Sequence, residues 1–359
     1  MADILLNNIK IKSKIKDYEV VFIEDIVKQF HQHLRTDDFI IIDKSVNNIY
    51  GEILLKEFDS NKLIIIEASE FQKSYQELQN IIDKLINLGF KKNHRIVSIG
   101  GGITQDCAAF ISSILYRGVD WIFLPTTLLA QGDSCIGSKT SINFGKYKNL
   151  IGGFYPPSKI LLSPIFLKSL QSKDIKSGLG EMLHYFIVSS EEDFIFFKNS
   201  YEKSLTDKNI LQQIINKSLQ IKKRYIEIDE FDKNERQVFN YGHSFGHAIE
   251  SLKNYQIPHG IAVSFGMDIS NYISSKMGLI DESVRNDIRK ILQKIWLGYS
   301  IKNIQIEPFM NALSKDKKNV GDKLGLILNE GYGSIKKHLI FPDDEFVLWL
   351  KDYFKNELI

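Results

Sequence analysis

The stretch that decides the fold reads RIVSIGGGITQD, from Arg95 to Asp106. Its apolar part, Arg95–Ile99, predicts a buried β-strand, and the three glycines predict a tight turn into a helix over Asp106–Leu115. Glycines at such a turn let backbone amides approach a pyrophosphate, which a helix N-terminus also attracts. However, Gln105 takes the last glycine position of the G-x-G-x-x-G spacing. A plain turn capped by Asp106 explains the same residues equally well.

Further strands are predicted on both sides of this stretch. Short apolar runs at Phe39–Ile42, Leu63–Ile66 and Trp121–Leu124 are typical of strands. Between them, apolar residues spaced three and four apart predict a helix over Phe71–Leu88. Strands that alternate with helices predict a parallel, doubly wound sheet.

Helical periodicity dominates from about Phe166 onwards. The predicted helices of this part are Gly178–Val188, Asn209–Ile228, Ser244–Leu252, Ile261–Met277 and Asp281–Trp296. We therefore predict an α/β protein with a Rossmann-like parallel-sheet domain over residues 1–164. A mainly α-helical domain follows over residues 165–359, with the boundary near Ser163–Pro164.

Composition argues against several classes of protein. The 46 basic and 44 acidic residues leave a net charge of +2, so nothing predicts binding to nucleic acid or to a membrane surface. No apolar run approaches the roughly 20 residues of a membrane span, and Met1–Lys16 lacks the apolar core of a signal peptide. Two cysteines, Cys107 and Cys135, cannot form a disulfide framework. We therefore predict a cytoplasmic protein.

A histidine-rich motif is the strongest candidate for a metal site. The chain reads NYGHSFGHAIE from Asn240 and PHG from Pro258. His243 and His247 are four residues apart, which places them on one helix face, and we expect His259 to follow on a nearby loop. A buried core position is the default for any single histidine, but three histidines so close together make that reading unlikely, and imidazoles suit zinc. Where a catalytic site keeps an open coordination position, a carboxylate is the usual third protein ligand. Glu181 is a candidate that spacing alone does not single out.

Two polar sets could bind a phosphorylated substrate. The run PTTLLAQGDS from Pro125, followed by Lys139 and by Lys148–Asn149, offers hydroxyl, lysine and amide groups. Lys222, Arg236 and the run from Lys315 to Lys318 form a basic set. A capped helix start with exposed lysines explains the first set without a ligand, and a solvated run of charges explains the second.

Taken together, the motifs PTTLLAQ-x-DS, NYGHSFGHAIE and PHGIAVSFGM resemble the 3-dehydroquinate synthase family of sugar phosphate cyclases. The resemblance runs in order from about Asp43 to about Gly325. It implies a lyase that binds NAD and Zn²⁺, or Co²⁺ in its place, and that cyclises a sugar phosphate with loss of phosphate. NAD takes a hydride and returns it, so there is no net oxidation.

The resemblance implies that the first domain binds NAD and that the second binds the metal and the substrate, and it also assigns residues. The positions that it implies for NAD are Asp43, Glu70, Lys73, Gly101, Gly102, Asp106, Thr126, Thr127, Lys139, Lys148, Phe166 and Ser169. Those that it implies for the metal are Glu181, His243 and His259. Those that it implies for the substrate are Asp133, Lys139, Asn149, His184, Lys222, Arg236, Asn240, His247 and either Lys317 or Lys318. It further implies a homodimer in which Arg117 reaches the neighbouring subunit's site.

Several residues depart from the family pattern and leave the substrate open. His184 replaces a substrate-contacting lysine, and Gln105 and Ser138 replace glycines. Lys222 and Arg236 together suit a substrate carboxylate and so favour 3-dehydroquinate as product. The alternatives are a cyclase for another sugar phosphate, such as a deoxy-inosose or valiolone-type synthase, a metal-dependent polyol dehydrogenase, and a non-catalytic binding homologue.

Overall fold

The computed structural model of the chain describes residues 7–145 and 147–358. Residues 1–6, part of the segment Met1–Lys16 considered above, lie outside that description. The chain forms two compact units. The first comprises the described residues up to Leu170 and the segment Ile215–Phe231, and the second comprises Gln171–Ile214 and the chain from Asp232 onwards.

The first unit is built on a sheet of seven strands. The strands of the unit are β1 Ile9–Ile11, β2 Tyr18–Phe22, β3 Asp38–Asp43, β4 Leu63–Ile66, β5 Arg95–Gly100, β6 Asp120–Pro125, β7 Lys139–Phe144, β8 Tyr147–Phe154 and β9 Lys159–Leu162. The sheet has the order β1-β2-β9-β6-β5-β3-β4 and is parallel except for the antiparallel edge pair β1–β2. Strands β7 and β8 form a separate antiparallel hairpin.

Four helices of the first unit cover the sheet. They are α1 Ile26–His33, α2 Lys44–Leu54, α3 Tyr75–Asn87 and α4 Gly102–Ile114. Every residue of β3 and β5 is buried, as expected for parallel strands that are covered on both faces. On one face, alternate strand residues such as Ile40 and Val97 join α1 and α2 in a continuous apolar core. The sequence-predicted α/β class is confirmed for this unit.

The sheet places the glycine-rich turn where ligands usually bind in such folds. After β3 the chain continues through α2 to β4 on one side, and after β5 it continues through α4 to β6 on the other. The neighbouring strands β3 and β5 therefore form a topological switch point, where a cleft opens at the carboxyl ends of the strands. Asp43 ends β3, and Gly101 follows β5 directly.

The second unit is mainly helical. Its helices are α5 Ser172–Ser189, α6 Glu191–Ser204, the beginning of α7 Lys208–Ile228, α8 His243–Leu252, α9 His259–Lys276, α10 Glu282–Trp296, α11 Ile306–Ser314 and α12 Asp344–Asp352. A hairpin of β10 Leu324–Asn329 and β11 Ile335–Ile340 completes it. Among the described residues, no helix combines the length and apolar character that crossing a membrane requires.

The structure corrects three sequence-based expectations. The helix predicted from Phe71 begins at Tyr75, because Ser74 caps it by accepting a hydrogen bond from the Glu77 amide. Asp106 does not cap a helix, because α4 begins four residues earlier, at Gly102, with Gly101 as its N-cap. His259 is not on a loop but is the first residue of α9, directly after Pro258.

Candidate active site

Helix α5 carries the acidic residue of the candidate metal site. Glu181 and His184 are three residues apart and therefore lie on the same face of the helix. Both side chains are buried, within a continuous buried segment that runs from Ser177 to Val188.

Helix α8 carries the two histidines of the NYGHSFGHAIE motif. It begins directly after Gly242, whose φ of +79° is a left-handed conformation that favours glycine. The rings of His243 and His247 are 5.5 Å apart, centre to centre. His243 Nδ1 lies 3.2 Å from the carbonyl oxygen of Tyr241, which leaves Nε2 to face Glu181.

Helix α9 brings the third candidate ligand. His259 Nε2 lies 3.4 Å from Glu181 Oε2, and His243 Nε2 lies 3.2 Å from Glu181 Oε1. The ligand atoms of these three residues all lie within 4.8 Å of one another. Helices α8 and α9 thus each bring one histidine to the carboxylate that α5 carries.

The three residues fit a metal ion on chemical grounds. Oε2 of Glu181 is buried and accepts no hydrogen bond from any described residue, although His259 is close. Burial alone would raise the pKa of Glu181, but attraction to His243 and His259 outweighs it and holds that pKa well below its usual range. An ionised carboxylate with two imidazoles is a donor set that suits Zn²⁺ with an open coordination position.

Close helix packing at glycines makes this convergence possible. A Cβ added to Gly260 would lie 1.8 Å from the carbonyl oxygen of Ser177 on α5. A Cβ added to Gly266 would lie 1.9 Å from the carbonyl oxygen of Gly242, at the start of α8. Only glycine permits these approaches, so the ligand-bearing ends of α5, α8 and α9 come together because of them.

Glu250 is a functional candidate that sequence reasoning missed. Its Oε2 lies 3.1 Å from His259 Nδ1, the nitrogen turned away from Glu181. This is the contact by which an outer carboxylate orients a metal-binding histidine. The spacing of His243, His247 and Glu250 at four and seven residues on one helix is a signal that could have found it. His247, Glu250 and His259 also form a second group within 4.8 Å.

The remaining predicted site residues of the second unit are on two short segments. Arg236 is buried and Asn240 is partly buried, both on the 3₁₀-helix Glu235–Asn240. Lys317 is exposed, whereas Lys318 is largely buried and pairs with Asp316 at 2.7 Å. Loss of hydration lowers the pKa of Lys318, more than attraction to Asp316 raises it.

In the first unit, the glycine-rich turn opens helix α4. Gly101 is the N-cap, and a Cβ there would lie 2.9 Å from the Thr127 methyl group. Gly102 is the first helical residue, and a Cβ there would lie 3.9 Å from Ser134 Oγ, an ordinary van der Waals contact. Gln105, which departs from the family pattern, exchanges two hydrogen bonds with Ser134 at 2.6 and 2.7 Å.

A polar network joins several residues that the resemblance assigns to NAD. The buried Lys73 ammonium lies 2.5 Å from Asp106 Oδ2 and donates to Asn149 Oδ1 at 2.6 Å. Asn143, which sequence reasoning missed, donates to Glu70 Oε2 at 2.8 Å and accepts from the Asn149 amide. Burial would raise the pKa of Glu70, but the Asn143 hydrogen bond and the charges of Lys148 and Lys73 lower it.

Other predicted residues of the first unit have structural partners. Asp43 caps α2, and Ser169 accepts a hydrogen bond from Tyr50, whose ring packs edge-on against Phe166. Lys222 donates to Asp133 Oδ1 at 2.7 Å. Thr126 is buried at the end of β6, and Lys139 is exposed at the start of β7.

Arg117 lies in a constrained turn. Tyr116 and Arg117 both have positive φ angles, 51° and 65°, and Gly118 follows at 113°. Two consecutive non-glycine residues in this conformation need support from their surroundings, and the Tyr116 hydroxyl provides it by donating to the Phe90 carbonyl at 3.0 Å. Arg117 is thus exposed on a fixed backbone.

Comparisons with known proteins show which family the chain is similar to. Family models described as the 3-dehydroquinate synthase N-terminal and C-terminal domains match residues 63–177 and 178–319. A 3-dehydroquinate synthase of Dictyoglomus thermophilum is 34% identical over 92% of this chain and 94% of its own, and that of Alkaliphilus metalliredigens is 33% identical over 85% and 87%.

Among solved structures, a 2-deoxy-scyllo-inosose synthase complexed with carbaglucose-6-phosphate, NAD⁺ and Co²⁺ has the same fold. Its TM-score is 0.86 at 24% identity, with 98% of this chain and 100% of that chain covered. The two family models and the curated relatives span most of the sequence and both units of the structure. The chain therefore belongs to the 3-dehydroquinate synthase family.

Proposed function

We propose that this chain is a 3-dehydroquinate synthase, which converts a seven-carbon sugar acid phosphate into a carbocyclic product and inorganic phosphate. The observation that carries the proposal is the convergence of Glu181, His243 and His259, whose ligand atoms lie within 4.8 Å of one another on three helices. The curated relatives of the same name support the choice of product.

Glu181, His243 and His259 would hold Zn²⁺ or Co²⁺, and the switch point with the Lys73 network would hold NAD. When bound, the metal supplies a Lewis acid and NAD a reversible hydride acceptor. His243→Ala and His259→Ala should each abolish turnover and weaken metal binding, because each removes one of three protein ligands. Full metal content and activity in either variant would contradict the ligand assignment.

The remaining site residues would bind the two acidic groups of the substrate. Lys139, Asn149 and His247 would bind phosphate, which charge-assisted hydrogen bonds hold strongly. Two observations favour Lys318 over the exposed Lys317 as the late lysine of this set. The Lys318 side chain is largely buried. After loss of hydration and the charges of His243 and His259, the charge of Lys318 also lowers the pKa of His247. We further propose that Asp133 and Asn240 orient the substrate hydroxyls.

Lys222 and Arg236 would hold the substrate carboxylate. Arg236→Leu should cost about 2–5 kcal/mol of transition-state stabilisation, because the ligand's charge would be left without its partner. Kinetics that remain unchanged would mean that the substrate has no carboxylate at that point. Arg224→Leu is the control, since it removes an exposed arginine of helix α7.

The most informative experiment compares substrates. Phosphate release should be measured with the seven-carbon acid phosphate and with carboxylate-free hexose and heptulose phosphates, and the products identified by mass. His184 and Ser138 favour a second candidate, a related cyclase for another sugar phosphate. Turnover of a carboxylate-free substrate alone would establish that candidate, and sustained NADH formation would indicate a polyol dehydrogenase.

We further propose a cytoplasmic homodimer in which Arg117 enters the neighbouring subunit's site. The exposed side chain on a fixed turn supports this role, and the buried free thiols of Cys107 and Cys135 suit a reducing compartment. The Arg117→Ala and His243→Ala variants should each be inactive alone. When the two are co-expressed, about a quarter of wild-type activity should return, because half of the dimers would be mixed and each mixed dimer would have one complete site. No recovery from dimers that do form would contradict a shared site.

A further inference from the structure

The surroundings of His184 differ from those of a substrate-contacting residue. Its side chain is 1% exposed. The ring packs against Tyr185, with 3.9 Å between ring centres, and against Phe239 at 5.7 Å. An aromatic wall thus encloses this imidazole.

The same ring also lies against two candidate metal ligands. His184 Nδ1 lies 3.9 Å from Glu181 Oε1, which is too long for a hydrogen bond but is direct contact. The ring meets that of His243 edge to face, at 5.4 Å and 89°. Among the described residues, neither of the two groups with converging ligand atoms includes His184. His184 therefore contacts two candidate ligands without belonging to the ligand group itself.

A lysine could not replace this ring at the same place. Its ammonium is compact and strongly hydrated, so enclosing it between Tyr185 and Phe239 would cost hydration free energy without a planar surface to pack in return. An imidazole fills the space and makes edge-to-face contacts with the rings around it.

We propose that His184 is a positioning residue, which holds the Glu181 carboxylate and the His243 ring in the orientation that binds the metal. The substrate contact made by the family's lysine would then have no counterpart at this position. This inference rests on the proposed function only in taking Glu181 and His243 as metal ligands.

The test is Co²⁺ binding to the full-length apo-protein, followed by chelator competition and by the visible absorption of the bound ion. His184→Ala and His184→Lys should each weaken Co²⁺ binding about 10- to 100-fold and alter the spectrum, as loss of an outer contact does at metal sites. His184→Phe, which keeps an aromatic ring, should restore the affinity to within about threefold of wild type. His338→Ala is the matched control, because His338 also contacts a carboxylate, Glu330, in the same unit.

Kinetics at saturating Co²⁺ separate this role from substrate contact. The positioning role predicts that His184→Ala lowers kcat with little change in KM. The proposal is overturned if His184→Phe binds Co²⁺ as weakly as His184→Ala, or if His184→Lys binds Co²⁺ normally and lowers KM. If instead wild type binds Co²⁺ as expected but releases no phosphate, the proposed function fails while the binding series still decides the role of His184.

Discussion

At the scale of single residues, the contact between Glu250 and His259 is the clearest consequence of the structure. Glu250 contacts Nδ1 of His259, and Nε2, which faces Glu181, is then the nitrogen that would bind the metal in the proposed site. Glu250→Gln should weaken metal binding about 10- to 100-fold, because an amide orients the ring less strongly than a carboxylate. Glu330→Gln is the control, because Glu330 also pairs with a histidine, His338, but lies in the β10–β11 hairpin. This variant should leave the metal dissociation constant unchanged.

Ser138 offers a second test at this scale. Its φ of 63° is a left-handed conformation, which accounts for the glycine that the family has there. Ser138→Gly and Ser138→Ala both lose the hydroxyl. The difference between their free energies of unfolding therefore isolates the effect of a Cβ at this φ. The glycine variant should be more stable by about 1 kcal/mol, since a Cβ is strained at this φ. Denaturant unfolding measures it, and equal midpoints would contradict the strained conformation.

The sequence identified some of these residues and missed others for physical reasons. Histidines spaced along one helix are visible without a structure, whereas Glu181 comes from a distant helix and required the family resemblance. Asn143 could not have been predicted, because its partners Glu70 and Asn149 depend on where the β7–β8 hairpin lies against Lys73. Lys73 and Asp106 were assigned to NAD separately, but not their ion pair.

At the scale of elements, the crossing of α5 and α9 decides whether the ligands meet. Gly260→Ala places a methyl group against the Ser177 carbonyl and should destabilise the protein by about 2–3 kcal/mol. It should also weaken metal binding, because it separates His259 from Glu181. The control is Gly153→Ala, where the added Cβ meets nothing within 4 Å. Comparable unfolding midpoints for the two variants would show that the helices do not approach so closely.

Strands and helices were predicted most accurately where their neighbours in sequence determine them. Strand β4 was predicted at its observed bounds, and β3, β5 and β6 to within one residue at each end. The strands β1, β2 and β7–β11 were not predicted. Exposed residues interrupt the apolar pattern of β1, β8 and β11, whereas β10 is buried throughout and its apolar run is compatible with a strand. The early start of α9 was missed because Pro258 read as a loop, although proline is well tolerated where a helix begins.

At the scale of the whole molecule, metal binding should stabilise the fold. The three proposed ligands belong to separate helices of the second unit, so an ion that binds only the folded state would link them. Zn²⁺ at 100 times its dissociation constant should add about 2.7 kcal/mol to the free energy of unfolding. Thermal unfolding with and without chelator measures this. His243→Ala should show a much smaller metal-dependent shift, and a shift equal to that of wild type would place the ion elsewhere.

The central claim is that the chain closes a carbon ring and regenerates its NAD in every turnover. The measurement is phosphate release from the seven-carbon acid phosphate with Co²⁺ and with NAD far below the substrate concentration, while absorbance at the NADH band is followed. The account predicts product and phosphate in large excess over NAD, in equal amounts, without lasting NADH. Accumulation of NADH in step with product, or no phosphate release from metal-loaded protein, would contradict it.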